Sequence, residues 1–261
     1  MLEKFRKAKA AEVAALEELA GQGRLPRPHA RALPGFCAGL KKAGKRPVIA
    51  EYKRASHAQG DINLALIPEQ AALAYARAGA GALSVLTEEH WFKGSLSFLE
   101  RMAGPGLPLL RKDFIIHPLQ VAQTAATPAS AILVIVRMLD DGLLDAVIGK
   151  SRDLGLEPVV EVFDAEDLRR AHKAGADIIQ VNNRDLDTLR VDLDNSRRLV
   201  GKKRGGDFWI SASGIETPAQ LDGLLGLGFD AALVGSALMK ADRPGSGPGE
   251  NLAALLGAGD A

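Results

Sequence analysis

The chain has 261 residues, 33 Lys+Arg against 32 Asp+Glu and 47% apolar side chains, which excludes a disordered polypeptide and leaves room for a sizeable core. A formal net charge of +1 provides no field to hold a polyanion, so no nucleic-acid partner is expected and a small ligand is favoured. One cysteine, Cys37, excludes an intramolecular disulfide; the charged opening Leu2-Glu3-Lys4-Phe5-Arg6-Lys7 lacks a signal peptide's apolar core; and no apolar run nears the roughly 20 residues of a membrane span. These features predict a cytoplasmic protein that is not integral to a membrane.

Helical spacing runs from Leu2 to Leu19, followed by a Pro-containing link and a shorter helical run over Ala32–Lys42. Residues 1–47 are too few for a useful core of their own and read as a helical extension packed on the rest of the chain. From residue 48 the pattern changes to short Val/Ile/Leu-rich runs, each followed by a polar turn. In chain order these are a strand over Val48–Arg54, a helix over Pro68–Ala78, and strands over Ala82–Glu88 and Leu107–Phe114. A helix over Pro118–Ala126, a strand over Ile132–Leu139, a helix over Asp141–Leu154 and a strand over Glu157–Phe163 come next. The series ends with a helix over Ala165–Ala174, a strand over Ile178–Arg184, a helix over Asp194–Lys202, a strand over Phe208–Gly214, a helix over Pro218–Leu227 and a strand over Ala231–Ser236. The tail at 243–249 reads as a loop before a last helix near Glu250–Leu256.

Successive strands start roughly 20 to 35 residues apart, the room that a strand, a helix and two loops need, so the sheet is parallel. Turns such as Gly79-Ala80-Gly81, Thr127-Pro128-Ala129, Gly175-Ala176-Asp177 and Gly228-Phe229-Asp230 precede every second strand at a spacing of roughly 50 residues, a weak repeat of two βα units. An open nucleotide-binding sheet would place a Gly-rich phosphate loop just after the first strand, and none is there. The prediction is one (β/α)8 TIM-barrel domain spanning residues 1–261, with residues 1–47 as its N-terminal helical extension.

In such a barrel the active groups gather at the C-terminal strand ends, and strand parity says which side chains point inward. Glu51 and Lys53 share a side of the first strand, Lys112 follows at the same depth on the third, Glu161 ends the fifth, and Asn182 and Arg184 end the sixth. Each charge alone fits a structural rim salt bridge. Together, two lysines and two carboxylates at one depth would be costly to bury unless paired or serving a charged ligand. Such a set suits acid–base chemistry, because a crowded ammonium donates protons nearer neutrality and a carboxylate against an apolar wall accepts them.

The five histidines, 29, 57, 90, 117 and 172, show no metal-ligand spacing, so no metal site is expected. His57 and His117 follow the first and third strands within reach of the mouth, although solvated loop histidines are the default. Ser213-Gly214 and Gly235-Ser236, in the last two βα loops, offer backbone N–H groups and hydroxyls suited to a phosphate, with Ser56 in the first loop as a further contact. Trp91, Phe92 and Phe114 would put aromatic walls beside the same rim.

Six motifs in order carry a resemblance. They are Ile49-Ala50-Glu51-Tyr52-Lys53-Arg54-Ala55-Ser56, Leu83-Ser84-Val85-Leu86-Thr87-Glu88 with Trp91-Phe92-Lys93-Gly94-Ser95, and Leu110-Arg111-Lys112-Asp113-Phe114-Ile115-Ile116, then Val160-Glu161-Val162, Val181-Asn182-Asn183-Arg184-Asp185-Leu186 and Ser213-Gly214-Ile215. From about residue 3 to the C-terminus the chain closely resembles the indole-3-glycerol-phosphate synthase family of tryptophan biosynthesis. The resemblance implies a lyase that cyclises, decarboxylates and dehydrates 1-(2-carboxyphenylamino)-1-deoxyribulose 5-phosphate without cofactor or metal. It implies Lys112 as general acid, Lys53 near the substrate carboxylate and in dehydration, with Glu51 paired to it. It further implies Glu161 as stabiliser of the cationic intermediate or base, and Asn182 on substrate hydroxyls. Arg184 would sit near the carboxylate, and Ser56, Ser213, Gly214, Gly235 and Ser236 would line the phosphate end. Association with another enzyme of the tryptophan pathway is compatible with it.

Three departures stand out. Ala212 occupies the place of the family's usual Glu before Ser-Gly-Ile, Ser56-His57-Ala58-Gln59-Gly60 stands for Ser-Pro-Ser-Lys-Gly, and His117-Pro118 for Asp-Pro. These leave two rivals: a non-catalytic barrel paralogue acting as a binding subunit, and a different sugar-phosphate lyase or isomerase, which would not need the aromatic wall. The intact set of Glu51, Lys53, Lys112, Glu161 and Asn182 favours an active enzyme.

Overall fold

The computed structural model describes residues 2–56, 59–185, 188–240 and 247–257. Eight parallel strands, β1 (Val48–Tyr52), β2 (Ala82–Leu86), β3 (Leu109–Lys112), β4 (Ala131–Ile135), β5 (Glu157–Val162), β6 (Ile178–Asn182), β7 (Phe208–Ala212) and β8 (Ala231–Val234), form a closed ring in chain order. The ring shuts where β1 meets β8, with Val48 opposite Ala232 and Ala50 opposite Val234. This is the (β/α)8 barrel the alternation predicts. Both faces of each strand are covered, by the barrel interior on one side and helices on the other, which explains near-continuous apolar runs in place of strict alternation. Every residue of β2 and β4 is buried.

Strands end earlier than the apolar runs suggest, at Tyr52 instead of Arg54, Leu86 instead of Glu88 and Ile135 instead of Leu139. Past β1 and β2 the residues are polar, Lys53-Arg54 and Thr87-Glu88, whereas past β4 the chain stays largely apolar and buried. After β4 that continuation is a 3-10 turn, Val136–Met138.

The helices are α1 (Leu2–Gly21), α2 (Phe36–Lys42), α3 (Pro68–Arg77), α4 (Ser97–Met102), α5 (Pro118–Ala125), α6 (Asp141–Asp153), α7 (Ala165–Lys173), α8 (Asp194–Val200), α9 (Pro218–Gly226), α10 (Ser236–Met239) and α11 (Pro248–Leu256). Proline opens α3, α5 and α9, where its missing N–H costs nothing and its fixed φ suits the first turn. Thr217 and Gln220 form a reciprocal capping box on α9, and Asp140 accepts from Leu143 N at 2.8 Å on α6. Short α4 and α10 lack a side-chain cap, which is why the sequence carries no start signal for them. A small antiparallel hairpin, Ala55–Ser56 with Gly60–Asp61, stands at the rim after β1.

Helix α2 starts at Phe36, later than Ala32. Its start is set by Glu157 at the base of β5, whose carboxylate accepts from the backbone N–H groups of Phe36 and Cys37. Those are two of the donors a helix start leaves unsatisfied.

Helix α1 is fastened to the barrel through buried charge. Lys9 Nζ lies 2.7 Å from both Asp113 Oδ1 and Glu12 Oε2, and Arg111 Nη2 lies 3.1 Å from both Glu12 Oε1 and Asp113 Oδ2. Two cations thus neutralise two carboxylates between α1 and the end of β3. Burial opposes the charge on Asp113, but Arg111 and Lys9 outweigh it and hold the carboxyl below its ordinary range. Burial likewise works against the Lys9 ammonium, and Asp113 and Glu12 overcome it, raising its pKa.

Candidate active site

At the C-terminal ends of the strands lies a cavity of about 420 Å³, within the roughly 300–1,000 Å³ usual for small-molecule sites. The sequence-predicted residues Glu51, Lys53, Ser56, Phe92, Lys112, Phe114, Glu161, Asn182, Arg184, Ser213, Gly214, Gly235 and Ser236 all line it. Strand ends explain the convergence: Lys112 and Asn182 are the last residues of β3 and β6, Lys53 directly follows β1, and Glu51 and Glu161 are the penultimate residues of β1 and β5.

Two ion pairs face this space. Lys53 Nζ sits 3.1 Å from Glu51 Oε1, and Lys112 Nζ sits 3.8 Å from Glu161 Oε2. Glu51 and Glu161 are each 2% exposed, so neither carboxylate relies on water for compensation. Burial would raise the Glu51 pKa, but Lys53 and Lys112 together pull it below the ordinary value, helped by Ser84 Oγ donating to Oε2 at 3.4 Å. Glu51 is therefore ionised at neutral pH, charge-neutralised by Lys53.

Gly235 makes room for that pair. A Cβ there would overlap Glu51 Oε1, so any side chain displaces the carboxylate. Gly214 is constrained in a second way, with φ +82 and a Cβ that would overlap Val191 Cγ1. Beside it Ser213 holds φ 74 without being glycine, a strained conformation of the kind found at functional sites. Ser213 Oγ donates to Asn182 Oδ1 at 2.9 Å, and the same oxygen accepts from Arg184 N at 2.9 Å. The neighbouring Asn183 amide donates to Ser211 Oγ at 3.0 Å, tying the β6 and β7 ends together. Arg184 Nη1 donates to Leu189 O at 2.9 Å, which holds its loop beside the cavity.

The aromatic wall differs from the sequence expectation in one member. Phe92 and Phe114 line the cavity with ring centroids 6.1 Å apart. Trp91 does not: it packs edge-on against Phe5 at 4.8 Å, with Lys4 Nζ 5.1 Å from the centre of its ring. Its role is to back the wall, because Phe5 in turn stacks on Phe114 at 4.1 Å and 11°. Glu88 Oε2 receives the N–H groups of Trp91 and Phe92 at 2.8 and 3.1 Å, which directs the two rings apart.

His117 does not line the mouth, in line with the default for a loop histidine. It caps α5, its Nδ1 accepting from Leu119 N at 3.2 Å. His57 lies outside the described residues. Ala212 lines the cavity as the last residue of β7, in register with Asn182, and presents a methyl group.

Sequence reasoning missed Leu2 and Phe5 of α1, which lie in the cavity wall, and Glu88 and Glu216 of the rim loops. Glu88 shares the inward parity of Ser84 and Leu86 and was findable on that basis. Nothing local in α1 marks Leu2 or Phe5 as cavity residues. Among the described residues no group of three or more His, Cys, Asp or Glu is arranged to hold a metal, and no helix is long and apolar enough to cross a membrane.

A closed (β/α)8 barrel with lysine–carboxylate pairs, an aromatic wall and Ser/Gly loops at one rim defines a barrel enzyme of acid–base chemistry acting on a small molecule. The family model for indole-3-glycerol phosphate synthase matches residues 2–246. The chain belongs to that family and is a carbon–carbon lyase. An indole-3-glycerol phosphate synthase of Aquifex aeolicus is 44% identical over 200 residues, 76% of this chain and 77% of that one. One of Roseiflexus is 43% identical over 215 residues, covering 79% and 80%. The multifunctional tryptophan biosynthesis protein of Schizosaccharomyces pombe is 41% identical over 209 residues, 78% of this chain and 28% of its own length. The crystal structure of 3-hexulose-6-phosphate synthase from Salmonella typhimurium superposes with a TM-score of 0.62 at 17% identity, covering 81% of this chain and 99% of that one, a likeness of fold alone.

Proposed function

We propose that the cavity converts 1-(2-carboxyphenylamino)-1-deoxyribulose 5-phosphate to indole-3-glycerol phosphate, releasing CO₂ and water. The observation that carries this reading is the pair of lysine–carboxylate contacts, Glu51–Lys53 and Lys112–Glu161, facing one cavity that also has an aromatic wall. The carboxyl-bearing ring carbon attacks the C2 carbonyl carbon, and the carbonyl oxygen takes a proton from the Lys112 ammonium. The new C–C bond leaves the ring dearomatised with positive charge toward nitrogen, which the Glu161 carboxylate stabilises. The C–CO₂⁻ bond then breaks, its electrons restore aromaticity, and CO₂ departs. Finally the C2 hydroxyl leaves as water with a second proton, supplied through Lys53, while a base removes a proton from the adjacent CH₂ to complete the indole. One proton is consumed overall.

Binding residues take the two ends of the substrate. Ser56, Ser213, Gly214, Gly235 and Ser236 take the phosphate, and Arg184 with Lys53 takes the carboxylate. Asn182, whose Oδ1 already accepts from Ser213 and Arg184, donates from Nδ2 to a ribulose hydroxyl. Fixing both ends holds a flexible chain in attack geometry, which in the best cases is worth about 7–11 kcal/mol. Phe92 and Phe114 flank the anthranilate ring. The non-catalytic subunit reading has no feature of the site in its favour. The fused fission-yeast relative supports association with another tryptophan-pathway enzyme, and a cytoplasmic location fits such a role. The test is the rise of indole fluorescence when the substrate is added to pure protein. Wild type gives product and Lys112→Ala does not; no product from folded wild type, or an unchanged rate in Lys112→Ala, overturns the reading.

A further inference from the structure

Strand β6 carries a polar side chain that the proposed reaction leaves unused. Gln180 is fully buried in the barrel, directly opposite Glu161 in the β5–β6 register. Its Nε2 donates to Glu161 Oε2 at 2.5 Å, the same oxygen that faces Lys112 Nζ at 3.8 Å. On its other side the β7 partner in register is the apolar Ile210. The amide's Oε1 is buried and has no hydrogen-bond partner among the described residues. Buried polar atoms are nearly always paired, so an amide kept here with one end unpaired marks a position held for the bond its other end makes. Reversing the amide would satisfy nothing, because it would set a carbonyl oxygen against a carboxylate.

We propose that Gln180 is a positioning residue for Glu161. Its N–H group occupies one face of Oε2 and fixes the carboxylate between the barrel interior and Lys112. Since an amide N–H cannot accept a proton, the contact also directs any proton that Glu161 takes onto the other oxygen, Oε1. The lysine–carboxylate geometry at the mouth thus depends on a residue beneath it that does not line the cavity. This inference rests on the reading of Glu161 as a working group.

The experiment measures kcat and KM by indole fluorescence for Gln180→Met in the wild-type and Glu161→Gln backgrounds, with pH profiles of kcat for wild type and Gln180→Glu. Gln180→Met is expected to lower kcat about ten- to hundredfold, the scale of a misplaced reacting group, with KM within about twofold of wild type. In the Glu161→Gln background the same substitution is expected to cost nothing further, because the two residues act as a unit. Gln180→Glu sets two carboxylates to share one proton, so the acid limb of its kcat profile moves to higher pH. An unchanged kcat in Gln180→Met, or the same loss in both backgrounds, overturns the positioning role. If Gln180→Met fails to fold, an unmoved profile in Gln180→Glu does the same. A Glu161→Gln variant with wild-type kcat overturns the underlying reading of Glu161 instead, so the two failures are distinct.

Discussion

Replacing Lys9 with Met tests whether buried charge holds α1 on the barrel. Lys9 is 7% exposed and touches two carboxylates at 2.7 Å. Removing one member of a buried pair costs about 3–5 kcal/mol, because the partner charge stays behind. Here Arg111 still contacts both Asp113 and Glu12, so the low end applies, about 3 kcal/mol. With an unfolding entropy of about 2.1 cal/mol/K per residue over the whole chain, that lowers Tm by about 5–6 °C. Acid unfolding supplies a second readout. The Asp113 pKa is lowered in the folded state, so its stabilisation is complete above the ordinary Asp value and is lost as pH falls through the folded value. Losing Lys9 removes one of the cations that depress it, so the acid midpoint moves to higher pH. Calorimetry at neutral pH and an acid titration followed by circular dichroism measure both. A Tm within 1 °C of wild type (about 0.5 kcal/mol by the same arithmetic) and an unmoved acid midpoint would refute the idea that this cluster fastens α1.

Gly235→Ala places a methyl carbon where Glu51 Oε1 now lies; we expect kcat/KM to fall at least tenfold, on the order of 1.4 kcal/mol, while circular dichroism shows an intact barrel. Phe5→Ala removes the ring stacked on Phe114; Tm should fall by an amount equivalent to about 3 kcal/mol and substrate KM should rise, because α1 supplies part of the cavity wall. Ala212→Glu adds a carboxylate at the rim end of β7, so the alkaline limb of the kcat/KM profile should move to higher pH as the cationic forms of nearby groups gain a partner. His117→Ala should cost about 0.5–2 kcal/mol in thermal unfolding through the lost cap and leave kcat unchanged, as its side chain lies outside the cavity lining.

Parallel strands buried on both faces announce themselves as apolar runs, so all eight were legible in the sequence, along with the helices that start on Pro or Asp. Glu51, Lys53, Lys112, Glu161 and Asn182 were legible because strand parity and depth are one-dimensional properties of a closed barrel. The remainder depended on tertiary contact. Trp91 and Phe92 are adjacent in sequence with equal claims to the wall, and Glu88 and Phe5 decide between them by pinning the backbone and covering one ring. Helix α4 has no capping residue, and the β1 hairpin is only two residues per strand, below what any periodicity can register. The place of Leu2 and Phe5 in the cavity wall depends on the Lys9 cluster, which joins residues about a hundred positions apart.

The Lys112–Glu161 contact joins the two halves of the ring, since one residue ends β3 and the other lies on β5. A chain cut within α6 would leave Glu51, Lys53 and Lys112 on one fragment and Glu161, Asn182 and Ser213 on the other. Only the Glu51–Lys53 pair would stay whole on one fragment, while Lys112 would be parted from its opposing carboxylate, Glu161. Mixing the two should bring turnover back only as the seams β4–β5 and β8–β1 zip together, so catalysis would report directly on reassembly of the cylinder.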